Sequence, residues 1–87
     1  MADNKKIAAD VLEAVGGKEN VTFVAHCMTR LRFNLKDIDV PDIKEIKKIN
    51  GVLGAQISGT QFQVIVGQNV PKVYDELCKL GGFAKQD

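Results

Sequence analysis

Apolar positions along this chain change period several times, and each change marks an element. Ile7, Ala8, Val11, Leu12 and Val15 recur at helical spacing, forming one face of an amphipathic helix that Asp3 or Asn4 can cap and Gly16-Gly17 stops. Residues 21–26 and 30–35 are two short runs rich in β-branched and aromatic side chains. In the second run Leu31, Phe33 and Leu35 alternate with Arg30, Arg32 and Asn34, the pattern of a half-buried strand. Ile43, Ile46 and Ile49 return to helical spacing among lysines, with Pro41 suited to the first turn and Asn50-Gly51 ending the element. Residues 52–57 and 61–66 read as a second strand pair joined by Ser58-Gly59-Thr60, with Gln61 and Gln63 alternating with Phe62, Val64 and Val66. A last helix, capped by Asn69, turns Val70, Val73, Tyr74, Leu77 and Cys78 inward. Gly81-Gly82 closes it before the polar end Lys85-Gln86-Asp87. The order αββαββα predicts an α+β open-faced sandwich, with helices covering one side of an antiparallel sheet whose other face stays wet.

Composition narrows the functions such a sandwich can have. A chain of 87 residues suits one compact domain, so one site is sought. Twelve Lys and Arg against 11 Asp and Glu leave a net charge of +1, which supplies no broad basic field for nucleic acid or anionic lipid. Phe23, Phe33, Phe62, Tyr74 and Phe83 show no paired stacking motif on the wet face, which argues against an RNA-binding sheet. No apolar run approaches the roughly 18 residues of a spanning helix, and residues 1–6 lead into no signal-peptide core. The chain is therefore expected neither to cross a membrane nor to be secreted, and Cys27 and Cys78 are expected as reduced thiols.

Candidate chemistry collects in His26-Cys27-Met28-Thr29-Arg30-Leu31-Arg32, which places a thiol, a hydroxyl and two guanidiniums where one strand turns into the next. Arg30 and Arg32, two apart on a strand, project from the same face, and the turn brings Cys27 and the amides of residues 28–30 back toward them. Nearby cations and oriented amides lower a thiol's pKa, and the same groups suit a phosphoryl placed on sulfur. Each residue also has a plainer reading. A lone cysteine at a strand end is commonly inert packing, and two arginines commonly make a solvated strand face. In combination, however, like charges at i and i+2 repel unless an anion visits. His26 is expected to point to the opposite side as a structural or modulating residue, Cys78 to be core, and Lys44, Lys47 and Lys48 to form a solvated helix face. Two cysteines and one histidine without paired-ligand spacing do not make a zinc site. A C-x5-R phosphatase would need arginine where Phe33 stands, and a redox C-x-x-C would need cysteine where Arg30 stands.

Taken together, Val-Gly-Gly-Lys-Glu-Asn-Val at 15–21, the segment from His26 to Asp37, Asn50-Gly51-Val52-Leu53-Gly54, the run from Ser58 to Gly67 and Val73-Tyr74 resemble a known family. This is the enzyme IIB domain of the phosphoenolpyruvate-dependent sugar phosphotransferase system, in the glucose/β-glucoside/sucrose superfamily. The His-Cys-x-Thr-Arg-Leu-Arg-Phe form is most like the β-glucoside and sucrose/trehalose branch. The resemblance implies a four-stranded antiparallel sheet with three helices on one side, with residues 1–80 as the IIB domain and 81–87 as a polar tail or the start of a linker to a membrane domain. It implies that a phosphohistidine on a IIA domain donates to Cys27, which passes the phosphoryl group to a sugar held by a membrane IIC domain. Met28, Thr29, Arg30 and Arg32 then surround the phosphocysteine, and Gln63 matches a glutamine that approaches the site. Met28 stands where the family pattern leads one to expect alanine. No metal or other cofactor is implied, and the expected location is cytoplasmic, at the inner face of the membrane within a permease complex. An alternative of a different class is a signalling module of the same fold that holds an anion or a phosphorylated partner without transfer.

Overall fold

A computed structural model describes residues 3–83; the expected polar end at 85–87 lies outside the described residues. Helix α1 spans Asn4–Ala14, started by Asp3, whose carboxylate accepts the Lys5 N–H at 3.1 Å. Its inward stripe of Ile7, Ala8 and Val11 is buried together with Val15 just beyond it. At Gly16, where φ is +108°, any Cβ would fall 2.8 Å from the Asn20 Cβ, so only glycine fits. Asn20, in a short 3₁₀ turn at Lys18–Asn20, pins this corner. Its Nδ2 donates to the carbonyls of Val15 at 2.8 Å and Asp37 at 3.0 Å, while its Oδ1 accepts the Asp37 N–H at 2.9 Å.

Strands β1 (Val21–His26) and β2 (Arg30–Leu35) form the first hairpin, and β3 (Gly54–Ser58) and β4 (Gln61–Ile65) the second. They join as one antiparallel sheet in the order β1-β2-β4-β3, so β2 and β4 lie side by side at its centre. Leu31 and Phe33 on β2, with Phe62 and Val64 on β4, are fully buried and share one core cluster with the inward faces of the helices. The opposite face carries a cross-strand row: Ala25, Arg32, Gln63 and Gln56 are successive partners across the four strands. Helix α3 (Val70–Gly81) lies over β1 and β2 and packs along α1, while α2 (Ile43–Lys47) packs on β3.

The αββαββα order and the alternation in β2 appear as the sequence leads one to expect, while four details differ: α2 ends at Lys47, before Ile49 and Asn50-Gly51, and the other three concern where elements start. Pro41 is not in the first turn of α2. It precedes Asp42, whose carboxylate caps the helix by accepting the Lys44 N–H at 2.9 Å. Strand β3 begins at Gly54 rather than at residue 52, because Val52 turns into the core while the Leu53 N–H already reaches the Ile65 carbonyl at 2.7 Å. Asn69 makes no side-chain cap. A 3₁₀ turn at Gly67–Asn69 runs directly into α3 and leaves Asn69 at φ −81°, ψ 3°, without the extended backbone that swings a capping side chain over the first N–H groups. Pro71 in the first turn removes one of those donors outright. At the other end, α3 reaches Gly81, Gly82 adopts the left-handed cap conformation, and Phe83 packs against the core.

Candidate active site

Cys27 sits immediately beyond β1 in a tight turn closed by its own N–H, which donates to the Arg30 carbonyl at 3.0 Å. The turn is held from behind. The Thr29 carbonyl accepts the N–H groups of both Val66 and Gly67 at 2.9 Å, tying the β1–β2 turn to the junction between β4 and α3. Val66 at φ −120°, ψ 0° points the two successive amides at one oxygen, and Gly67, at φ +82°, a conformation that residues with a Cβ rarely take, turns the chain from there toward α3. With its carbonyl directed backward, the Thr29 peptide is fixed, and the Thr29 N–H faces the sulfur.

That N–H is the largest influence on the thiol. The Thr29 amide, then the Arg30 amide and the Arg32 guanidinium, outweigh partial burial and lower the Cys27 pKa from 9.0 to about 7. Cys78 is the contrasting case: it is buried on α3, and loss of solvent pushes its thiol upward despite a hydrogen bond with Tyr74. One cysteine is thus poised as a thiolate near neutral pH, and the other is held as a thiol.

The two arginines share the wet face, as their spacing requires, but hold different partners. Arg32 contacts the sulfur, while the Arg30 Nη1 donates to the Gln63 Oε1 at 2.8 Å. Gln63 is the buried polar residue of the described structure, 7 % exposed, and its Oε1 also accepts from the Gln56 Nε2 at 2.9 Å. Its own Nε2 donates to the Gln61 Oε1 at 2.8 Å. Neither guanidinium pairs with a carboxylate among the described residues, where the ion pairs all involve lysine. Both charges therefore remain available to an incoming anion.

The remaining predicted residues divide clearly. The Met28 side chain projects into solvent, 88 % exposed, and the Thr29 side chain is exposed as well. His26 points to the helix side, its ring centroid 4.6 Å from that of Tyr74, and its Nδ1 lies 2.9 Å from the Cys27 carbonyl. A carbonyl oxygen only accepts, so Nδ1 carries the proton, and His26 steadies the entry to the turn. Sequence reasoning missed Gln56, Gln61 and Gly67. Gln61 was visible in the β4 alternation, but the register that places Gln56 beside Gln63 and the pairing that brings Gly67 behind Thr29 have no local signal.

The model of the phosphotransferase system EIIB family matches residues 9–40, the stretch containing the Cys27 turn and both arginines. Among curated proteins, the β-glucoside-specific EIIBCA component of Bacillus subtilis is 51 % identical over 77 residues, 88 % of this chain and 13 % of that protein. The trehalose-specific EIIBC component of the same organism is 43 % identical over 86 residues, 98 % of this chain and 18 % of that protein. The chain thus spans about an eighth of the length of the first of these relatives. A solved domain of a IIabc component of the phosphotransferase system from Clostridium difficile superposes with a TM-score of 0.86 at 31 % identity, covering 99 % of this chain and 93 % of that one. Alike over nearly its whole length to a solved domain of that system, with the matched segment centred on its turn, the chain belongs to the EIIB family of the phosphotransferase system, as a phosphoryl-carrier domain and phosphotransferase component.

Proposed function

We propose that Cys27 is the residue that carries the phosphoryl group, receiving it from a phosphohistidine on a IIA partner and delivering it to a sugar held by a membrane IIC partner. The observation that supports this reading most directly is the lowered thiol pKa in an exposed turn, produced by amides and a guanidinium that suit sulfur and phosphoryl oxygens alike. In the first transfer the Cys27 thiolate attacks phosphorus; the S–P bond forms as the P–N bond breaks, and the imidazole leaves on the donor. In the second transfer a sugar hydroxyl oxygen attacks phosphorus, the O–P bond forms, the P–S bond breaks, and the thiolate returns. The hydroxyl proton passes to a base or to water on the acceptor side. Such transfers depend on positioning and charge neutralisation more than on covalent help, which is the work assigned here to the Thr29 and Arg30 amides, Arg32 and Arg30.

The names of relatives support these partners, one joining B to C and A components in one protein and another joining B to C. No helix among the described residues is long and apolar enough to cross a membrane. On the carrier reading we place this domain at the cytoplasmic face, with membrane contact left to the IIC partner. The relatives are named for β-glucosides, trehalose, sucrose and glucose alike, and we assign the choice of sugar to that partner too.

The test mixes the chain with phosphoenolpyruvate, the general phosphotransferase proteins and a IIA domain, and follows intact mass. Cys27 should gain one phosphoryl group, Cys27→Ser should gain none, and Cys78→Ala should load normally. Retained transfer in Cys27→Ser would sink the assignment. Anion binding without any gain in mass would point instead to a non-catalytic phosphate-recognising module.

A further inference from the structure

Gln63 is an amide buried on the otherwise wet face of the sheet, and it uses its acceptor oxygen twice. Both lone pairs of Oε1 are taken, one by the Arg30 Nη1 at 2.8 Å and one by the Gln56 Nε2 at 2.9 Å. The nitrogen end is fixed from the other side, where Gln63 Nε2 donates to the Gln61 Oε1 at 2.8 Å. An amide can be flipped about its last bond, exchanging oxygen for NH₂, and a flipped Gln63 would turn donors against two donors. Gln56 therefore helps decide which end of Gln63 faces Arg30. Its place is set by register: Gln56 and Arg32 are the partners of Gln63 on its two sides, so the four strands bring these side chains onto one face.

The consequence reaches the guanidinium. Arg30 and Arg32 repel one another at i and i+2, and Arg32 is already engaged with the Cys27 sulfur. Gln63 holds one corner of Arg30 with a neutral acceptor, which fixes the group without cancelling its charge. When a phosphoryl group arrives at Cys27, a guanidinium held in this way meets the added charge with less reorganisation than a free side chain would need.

We propose that Gln56 is a positioning residue for phosphoryl transfer, acting through Gln63 to hold the Arg30 guanidinium on the sheet face that carries Arg32 and the Cys27 turn. The role rests on the reading of Cys27 as the phosphoryl carrier, while the side-chain arrangement it invokes can be measured without any transfer.

The experiment uses Gln56→Met, which keeps length and bulk but donates nothing, and Gln56→Glu, which replaces the donor with a carboxylate that attracts Arg30 toward β3. Three readouts are taken on each: the rate of loading from a phosphorylated IIA domain, the pH midpoint of Cys27 alkylation, and the side-chain ¹⁵N signals of Arg30 and Gln63. Gln56→Met should load on the order of tenfold more slowly, and Gln56→Glu more slowly still. The alkylation midpoint should stay near that of the parent, since the groups facing the sulfur are untouched, and the Arg30 signal should shift. A merely structural role would lower the melting temperature without separating loading from alkylation in this way. Parental loading by Gln56→Met, or unchanged Arg30 and Gln63 signals, overturns the inference. If the parent chain takes no phosphoryl group at all, the carrier reading fails and the positioning role for transfer falls with it, while the ¹⁵N signals still report whether Gln56 holds Arg30.

Discussion

Replacing Arg32 by Met tests how the thiol is activated, because it removes the guanidinium from the sulfur and leaves both backbone amides in place. With its pKa lowered from 9.0 to about 7, half of Cys27 is thiolate at pH 7. An ordinary thiol at 9.0 is only about 1 % ionised there, so Cys27 holds an advantage of roughly fiftyfold in reactive species. A more acidic thiolate is also a weaker nucleophile. With a Brønsted coefficient of about 0.45, two units of acidity cost roughly eightfold in intrinsic rate. The net expectation is alkylation by iodoacetamide about sixfold faster than a reference thiol at pH 7, parity near pH 8, and a slower reaction than the reference above pH 9.

This crossover is sharper than a simple claim of reactivity. The assay follows alkylation by mass across pH 5.5–10.5 in a Cys78→Ala background, with a peptide spanning residues 21–35 as the unfolded reference. In Arg32→Met the midpoint should rise but remain below that of the peptide, since the Thr29 amide is the larger influence. The same titration should appear in folding. A thiol whose pKa is lowered on folding contributes stability that is complete above the unfolded value near 9 and lost as pH falls through about 7, so unfolding free energy should climb between those limits and Cys27→Ser should abolish the climb. A parental midpoint at the peptide's value, or full recovery of that value in Arg32→Met, would refute the account of amides and guanidinium acting together.

Two further expectations follow from the same geometry. Arg30→Lys and Arg32→Lys keep charge but lose the forked donors, and each should accept phosphoryl from IIA better than it donates to sugar, because the second transfer takes place in a drier contact. Loading with labelled phosphoenolpyruvate, followed by a chase with membranes bearing IIC and sugar, separates the two steps, and equal loss in both would contradict the division. Asn20→Ala removes three side-chain hydrogen bonds that join α1 to the loop after β2, and should lower stability by about 1–3 kcal/mol in urea unfolding while leaving the Cys27 midpoint unchanged. A loss below about 0.5 kcal/mol would show that water replaces those bonds freely.

Legibility in the sequence follows the range of the interaction concerned. The Arg30–Leu35 alternation, the inward stripe of the last helix and the glycines that close the first and last helices are local patterns, and each appears in the structure where it was read, whereas α2 stops at Lys47, short of Asn50-Gly51. Cys27 and the turn around it were equally legible, since a thiol followed within five residues by two arginines of one strand face needs only the period of a strand to become a cluster. The partner of Arg30 was not legible. Gln63 is 33 residues away, and it meets Arg30 because β4 inserts between β2 and β3 in one particular register. A slip of one residue would turn Gln63 into the core and Phe62 out of it, so burial of Phe62 and Val64 fixes that register, and the polar ladder on the opposite face is its consequence. The core thus sets the geometry of the site through the pleat.

The choice of a neutral amide to hold Arg30 bears on how the turn can receive an anion. A carboxylate in the place of Gln63 would grip Arg30 more firmly, but it would also oppose every phosphoryl group brought near the sulfur, since the field of the pair largely cancels. An unanchored Arg30 would keep its charge and forfeit its position, and its four-bond side chain would have to be ordered at each transfer. Gln63 avoids both losses: its oxygen fixes the guanidinium, its charge is zero, and its other hydrogen bonds go to Gln56 and Gln61 rather than to the reacting groups. Arg32, in contact with sulfur, favours the thiolate, whereas the Arg30 guanidinium is held by Gln63 and keeps its charge for an incoming anion. Two like charges on one strand face thus hold different partners, one the sulfur and one a neutral amide, and neither is cancelled by a carboxylate among the described residues.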